Sequence, residues 1–335
     1  DGGELRPPPG ARVVRVADPD PFARLRRVRG RAPRDIAAAA DRPAGASPGG
    51  IEPRRHLRGL VAAAATIPLH GLLRWTAYLP DSTRPWSRAA AAAAAAIAAQ
   101  GGIDVVFTSG PTYSTHVAGL AVKRRTGLPW IADFRDLWVG RPARRPVSGW
   151  HDYMDRRYEA AVVRHADHIV VAAPPWATLF ERRYGRAVTP KLSCITNGYD
   201  GAGAAAAPGR RGAGPVFVHT GSMYGSESPA PFLQALGRLR RRRPARRSAA
   251  RVRLIGYAGD DLPLLERIVA AEELDENVAL LGPQPHATCL AEQAAADVLL
   301  LFHAAVHTIT ISGKSFEYMA TGKPILALIP PEGVQ

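Results

Sequence analysis

Apolar residues in this chain fall into short unbroken runs separated by longer stretches of helical spacing. Ile103 to Phe107, Pro129 to Ala132, Ala166 to Ala172, Lys191 to Ile195, Pro215 to His219, Arg251 to Gly256, Val278 to Leu281, Ala296 to Phe302 and a last run up to Ile329 read as buried strands. Between them lie helical patterns: Ala89 to Ala99, Thr112 to Arg125 stopped by Thr126-Gly127, Trp150 to His165, and Ala173 to Tyr184 stopped by Gly185. Further helices are predicted from Pro231 to about Arg240, Leu262 to Ala271, His286 to Ala295, and after Ser312. Strand and helix alternate throughout, so the sheets are expected to be parallel and their ligand-facing loops to lie at the strand C-terminal ends. The expected fold class is α/β with two Rossmann-like doubly wound domains. Residues 1–200 form the first and 215–335 the second, joined by a low-complexity Ala/Gly/Pro linker over 201–214.

Upstream of this alternation the pattern is less regular. Arg12 to Val16 reads as a short strand, and Asp18-Pro-Asp-Pro21 as a turn before a basic helix. Residues 31–53 are rich in Pro, Gly, Ala and Arg and read as a loop. Residues 54–79 mix Leu57, Leu60, Val61, Ile67, Leu72 and Trp75 with arginines. That suits a packed helix pair broken by Pro68, or a pair lying on an anionic membrane surface. The start at Asp1 and the stop at Gln335, a few residues past a strand, are expected to mark a fragment of a longer protein.

The 335 residues suffice for two cores, and an apolar fraction of 46% suits a globular chain. A net charge of +15 comes almost wholly from arginine, the lysines being Lys123, Lys191, Lys314 and Lys323. Because Ala, Arg, Gly and Pro are inflated together along the whole chain, that charge reads as compositional drift. A nucleic-acid partner is not expected, since aromatic and basic residues interleave poorly. Cys194 and Cys289 suggest neither a disulfide framework nor a zinc site, which places the chain in a reducing cytoplasm. No apolar run reaches the ~18 residues of a membrane span, so any membrane contact would be peripheral, at the inner face.

Candidate chemistry gathers in three places. Ser312 and Gly313 open a helix whose first N–H groups can hold an anion such as a diphosphate, and Lys314 adds a full charge there. Glu317 follows one turn on, where it can accept from a ribose diol, although an ordinary amphipathic helix with a surface lysine and a solvated glutamate would look the same. Gly-Lys-Ser at 313–315 is not a P-loop, because position 308 is threonine where that pattern needs glycine. A second cluster follows the first βαβ strands: Ser109 to His116, and Asp133-Phe-Arg-Asp136. His116 reads as a hydrogen-bonding partner for a sugar hydroxyl or leaving phosphate, or as a satisfied structural histidine. Asp133 and Asp136 read as ligand-facing, or as ion partners of Arg135. The glycine loop after the 215–219 strand, with Gly221, Ser222 and Gly225, lets backbone approach a phosphate.

Asp104-Val-Val-Phe-Thr-Ser-Gly-Pro with His116, Trp130-Ile-Ala-Asp-Phe-Arg-Asp136, Thr220-Gly-Ser-Met-Tyr-Gly225 and Gly313-Lys-Ser-Phe-Glu-Tyr-Met-Ala-Thr-Gly-Lys-Pro324 occur in an order that resembles family-4 glycosyltransferases of the GT-B fold. The resemblance spans about residues 100–330 and points to bacterial members that build polysaccharides or glycolipids. It implies a hexosyltransferase-type enzyme, retaining, with no bound metal and no cofactor beyond its nucleotide-diphosphate sugar substrate. Gly221, Ser222, Ser312, Gly313 and Lys314 would then meet the diphosphate, Glu317 the ribose, and Gly282 and Pro283 the base. His116 and Asp136 would be catalytic, facing the donor sugar. The implied partners are a nucleotide sugar and a glycan, lipid-linked or other hydroxyl acceptor. Two departures from the family stand out: position 309 is isoleucine where a second glutamate is usual, and Glu227 falls where a cation usually meets phosphate. A nucleotide-sugar 2-epimerase of the same fold, or a non-catalytic nucleotide-sugar-binding or scaffold protein, are the alternatives.

Overall fold

The computed structural model describes residues 10–17, 79–141, 146–199, 214–223, 227–242, 250–303 and 309–329. They belong to two compact units that meet in sequence between Ile195 and Thr196. The expected basic helix after Pro21, the 31–53 loop, nearly all of the 54–79 helix pair, the linker over 201–213 and the arginines at 243–247 lie outside the described residues. Arg12 to Val16 is described and joins no ladder, so the strand expected there is absent.

The first unit holds, in chain order, α1 (Arg84–Ala98), β1 (Val106–Gly110), α2 (Ser114–Thr126), β2 (Trp130–Phe134), α3 (Gly149–His165), β3 (His168–Val171), α4 (Pro174–Tyr184) and β4 (Leu192–Cys194). Among the described residues its strands form one parallel sheet in the order β1-β2-β3-β4. β1 starts later than the apolar run at Ile103 suggested. Its partner begins at Trp130, opposite Val106, so the residues before Val106 have no β2 neighbour to pair with. Ile103, Val105 and Phe107 are exposed. Small residues set the helix spacing: Ala91 of α1 packs on Ala118 and Val122 of α2. Gly119 leaves no space for a side chain between α2 and the rings and methyls of Trp130 and Thr108, a Cβ there falling 2.6 Å from Thr108 Cγ2.

The second unit holds β5 (Val216–Thr220), α5 (Ala230–Arg242), β6 (Arg251–Ile255), α6 (Leu262–Ala271), β7 (Val278–Leu280), α7 (His286–Ala295), β8 (Val298–Phe302), α8 (Gly313–Ala320) and β9 (Ile325–Leu328). Among the described residues its five strands are all parallel, in the order β7-β6-β5-β8-β9. Alternate strand residues enter separate cores, as a period of two requires when both faces are covered. Leu300 and Phe302 join Val252, Leu254, Phe232 and Leu265, whereas Leu299 and Leu301 join Val216, Val218 and Tyr318. The order reverses between β5 and β8. That is the switch point beside which an open parallel sheet leaves a crevice at its C-terminal edge.

Candidate functional site

At that edge of the second unit each of β5, β6 and β7 ends in a glycine of positive φ: Gly221 (123°), Gly256 (143°) and Gly282 (61°). The turns are laced together. Gly221 N donates to Ile255 O (2.8 Å), Met223 N to Tyr257 O (2.9 Å), and Gly256 N to Gly282 O (2.9 Å). Gly256 lies so close to Gly221 that a Cβ on it would reach 2.5 Å from the Gly221 carbonyl carbon. Only backbone can be stacked this tightly, which explains glycine at 256. Pro283 follows, exposed, beyond the outermost of these turns.

Lys314, in the first turn of α8, reaches back over this lattice. Its Nζ donates to Ser222 O at 3.3 Å, and its stem covers Gly221, where a Cβ would come within 2.9 Å of Nζ. Ser312 is the N-cap of α8 but makes no side-chain cap bond, and Gly313 stands beside the Asn197 amide, which would be 4.0 Å from a Cβ. Gly221, Ser222, Ser312, Gly313 and Lys314, drawn from segments some 90 residues apart, are therefore brought together. Glu227, not foreseen as a partner, completes the group. Its Oε2 is 3.4 Å from Lys314 Nζ, and its Oε1 is 3.9 Å from Nδ1 of His303 at the end of β8. Behind them His219 is wholly buried, its Nδ1–H donating to Leu300 O at 2.8 Å, and burial first, then the Lys314 charge, pushes its imidazole down to about 4.

Glu317 lies one turn further on and is not simply solvated. His286 Nε2 is 3.2 Å from Oε1, and Gln293 donates to Oε2 at 3.3 Å while also donating to Thr220 Oγ1 at 2.8 Å. Tyr318 fastens the same helix to β5, its hydroxyl accepting from Thr220 N at 2.9 Å. His286 and Gln293 escaped the sequence reading because they belong to α7, and only the packing of α7 beside α8 makes them neighbours of Glu317.

In the first unit Asp81 caps α2 from a distance, its Oδ2 accepting from Ser114 N at 2.9 Å. His116 is fully buried in the first turn of α2. Its Nδ1 shares a hydrogen bond with Thr108 Oγ1 (2.9 Å), which also accepts from Trp130 Nε1 (2.9 Å), and its ring stacks on Phe134 at 4.5 Å. Nε2 has no protein partner and lies beneath Gly110, and burial pushes the imidazole down to about 4. The side chain, expected either to meet a sugar hydroxyl or leaving phosphate or to be a satisfied structural histidine, is thus enclosed by its own turn. Asp133 is also buried, one oxygen accepting from Ser109 Oγ at 2.7 Å and the other lacking a partner, whereas Asp136 is half-buried. The loop carrying Asp136 is anchored by Glu159, fully buried, which accepts from Val139 N (2.7 Å), Arg183 Nη1 (2.6 Å) and the Tyr184 hydroxyl. Burial pushes the Glu159 carboxyl up even though all these donors favour its charged form.

Among the described residues no group of three His, Cys, Asp or Glu side chains is arranged to hold a metal ion, and no helix is long and apolar enough to cross a membrane.

The sequence model for Glycosyltransferase Family 4 matches residues 56–203. Similar solved structures include Anabaena HepE in complex with UDP-glucose (TM-score 0.51, 18% identity, covering 71% of this chain and 62% of that one). A glycosyltransferase from Rickettsia africae (0.51, 14%, 71% and 61%) and sucrose-phosphate synthase from Thermosynechococcus elongatus (0.50, 17%, 72% and 59%) are alike to the same degree. The chain has the GT-B fold, and its residues 56–203 are similar to Glycosyltransferase Family 4. No curated protein sequence matches it. The GT-B chain spans about three fifths of the length of these solved structures. The family match ends at residue 203, so the second unit, with Lys314 and Glu317, is tied to these proteins by fold alone.

Proposed function

We propose that this protein is a hexosyltransferase-type glycosyltransferase, moving a sugar from a nucleotide-diphosphate donor to a hydroxyl acceptor on a glycan or lipid-linked chain, with retention and without a metal ion. The observation that carries the reading is Lys314 seated on the Gly221-Ser222 turn at the switch point of the second sheet. As the sugar departs, negative charge builds on the diphosphate. The ammonium and the first N–H groups of α8 lie ready to stabilise it without reorganising. Glu317, oriented by His286 and Gln293, accepts from the ribose diol, and the Gly282-Pro283 turn borders the base. Asp136 and His116 of the first unit are the candidates for the chemistry at the donor sugar, and His116, enclosed as it is, can touch a sugar only if the Gly110 turn above it opens. HepE, whose complex holds UDP-glucose, has the same fold and makes a nucleotide sugar the natural donor. Contact with an anionic membrane on the cytoplasmic side is proposed from the basic, apolar 54–79 sequence.

A thermal-shift screen of UDP-, GDP- and ADP-sugars, followed by product analysis with glycan and lipid-linked acceptors, tests this reading. Lys314→Ala and Glu317→Ala are each expected to weaken donor binding roughly ten- to hundredfold, the range for a lost charge-assisted hydrogen bond. Unchanged affinity in both variants would remove the donor site from the second unit. Formation of an epimer from donor alone, with no acceptor consumed, would replace transfer by epimerisation.

A further inference from the structure

The phosphate cradle proposed above already contains an anion. Glu227 holds Lys314 at 3.4 Å and His303 at 3.9 Å, and the ion pair is sheltered, with side chains 26% and 20% exposed for Glu227 and Lys314. Lys314 has a second acceptor in Ser222 O. A phosphate arriving at Nζ must therefore share the ammonium, which has three donors, with a carboxylate of this chain, and the two anions will stand within a few ångströms of each other.

We propose that Glu227 is a specificity-determining residue that sets the cradle against the doubly charged form of its ligand, and so favours the donor over the diphosphate it becomes. The proposal rests on the reading of Lys314 as the diphosphate cation. In a donor the phosphate next to the sugar is an ester with one ionised oxygen. Transfer breaks the bond between the sugar carbon and the bridging ester oxygen, whose electron pair stays on the phosphate; the acceptor oxygen bonds to that carbon and its proton is released. The terminal phosphate then has a second ionisation near pH 6, which brings it to about −1.5 to −2 at neutral pH. Repulsion from a fixed carboxylate grows in proportion to that charge, whereas an uncharged side chain of the same shape would not distinguish donor from product. Glu227 thereby weakens both ligands, and the spent diphosphate more than the donor.

The test measures calorimetric affinities of the uridine, guanosine and adenosine diphosphates and of their glucose esters for the wild type, Glu227→Gln, Lys314→Ala and the double variant. For whichever base binds, Glu227→Gln is expected to tighten the free diphosphate roughly tenfold and the ester by about threefold, a difference that shrinks as salt is added. The gain is expected to be largely lost in the Lys314→Ala background, because the competition is for that ammonium. If Lys314→Ala weakens binding while Glu227→Gln changes neither ligand, changes both equally or loosens them, the role of Glu227 is overturned and the cradle stands. If Lys314→Ala has no effect on any ligand, or no ligand binds either the wild type or Glu227→Gln, the cradle itself fails, and this inference with it.

Discussion

Replacing Gly256 with alanine isolates the backbone stacking on which the site depends. The new Cβ would overlap the Gly221 carbonyl oxygen and lie 2.5 Å from its carbon, and since relaxed carbon contacts begin near 3.5 Å, one turn must retreat by at least roughly 1 Å. Neither atom belongs to a flexible side chain that could swing away. A backbone φ of 143° is itself glycine territory, at ~1–3 kcal/mol for another residue, and overpacking adds ~1–3 kcal/mol, so the sum is about 4 kcal/mol. Gly282→Ala is the control. Its φ of 61° is within the left-handed region, but a Cβ there meets nothing within 4 Å. Strain alone should then cost about 1 kcal/mol. Equilibrium denaturation of the two variants is expected to differ by about 3 kcal/mol. Because the displaced atom belongs to Gly221, Gly256→Ala should also weaken nucleotide-sugar binding while Gly282→Ala spares the Lys314 contact. Equal stability losses, within the error of extrapolation, would mean that Gly256 and Gly221 are not in contact in solution, and the laced edge would have to be abandoned.

Glu159 should behave as the anchor of the Asp136 loop. Glu159→Ala leaves Arg183 without its carboxylate and is expected to destabilise the first unit by ~3–5 kcal/mol in denaturant titrations, whereas the second unit melts as before. Acid should also loosen both units. His116 and His219 are held near a pKa of 4 when folded against about 6.5 unfolded, so the unfolded chain takes up the protons first. Stability present above pH 6.5 is lost as pH falls towards 4, by about 2 kcal/mol per histidine between pH 7 and pH 5. Glu159, with its raised carboxyl, opposes that loss in the first unit, so the second unit should show the larger fall. A flat stability profile over this range, followed by a probe in each unit, would show that neither histidine is buried neutral.

The order of strands and helices was legible because each element obeys a local rule. Short apolar runs between glycine and proline breaks favour strands, and the intervening spacing near 3.6 is helical, so α7 starts and stops where its pattern does. β1 was misplaced by three residues because its apolar run continues upstream of the point where β2 begins to pair with it, and pairing is not a local property. The architecture at the start of α8 was equally visible, since a small-residue turn, a helix and a lysine declare themselves within four positions.

What the chain could not announce by itself is which distant side chains share a space. Nothing near Glu227 in sequence says that it will sit on Lys314, and its charge alone suggested only repulsion from a ligand; the turn after β5 and the start of α8 meet because β5 and β8 are sheet neighbours. Glu317 acquired His286 and Gln293 in the same way, through helix packing. His116 could be read from sequence either as a ligand partner or as a structural histidine because only its polarity is written there, whereas burial is decided by the Phe134 ring and the Gly110 turn that close around it. Periodicity and turn chemistry are summed along the chain and survive without coordinates. Charge pairing and desolvation are sums over space, and they exist only once the strands have chosen their neighbours.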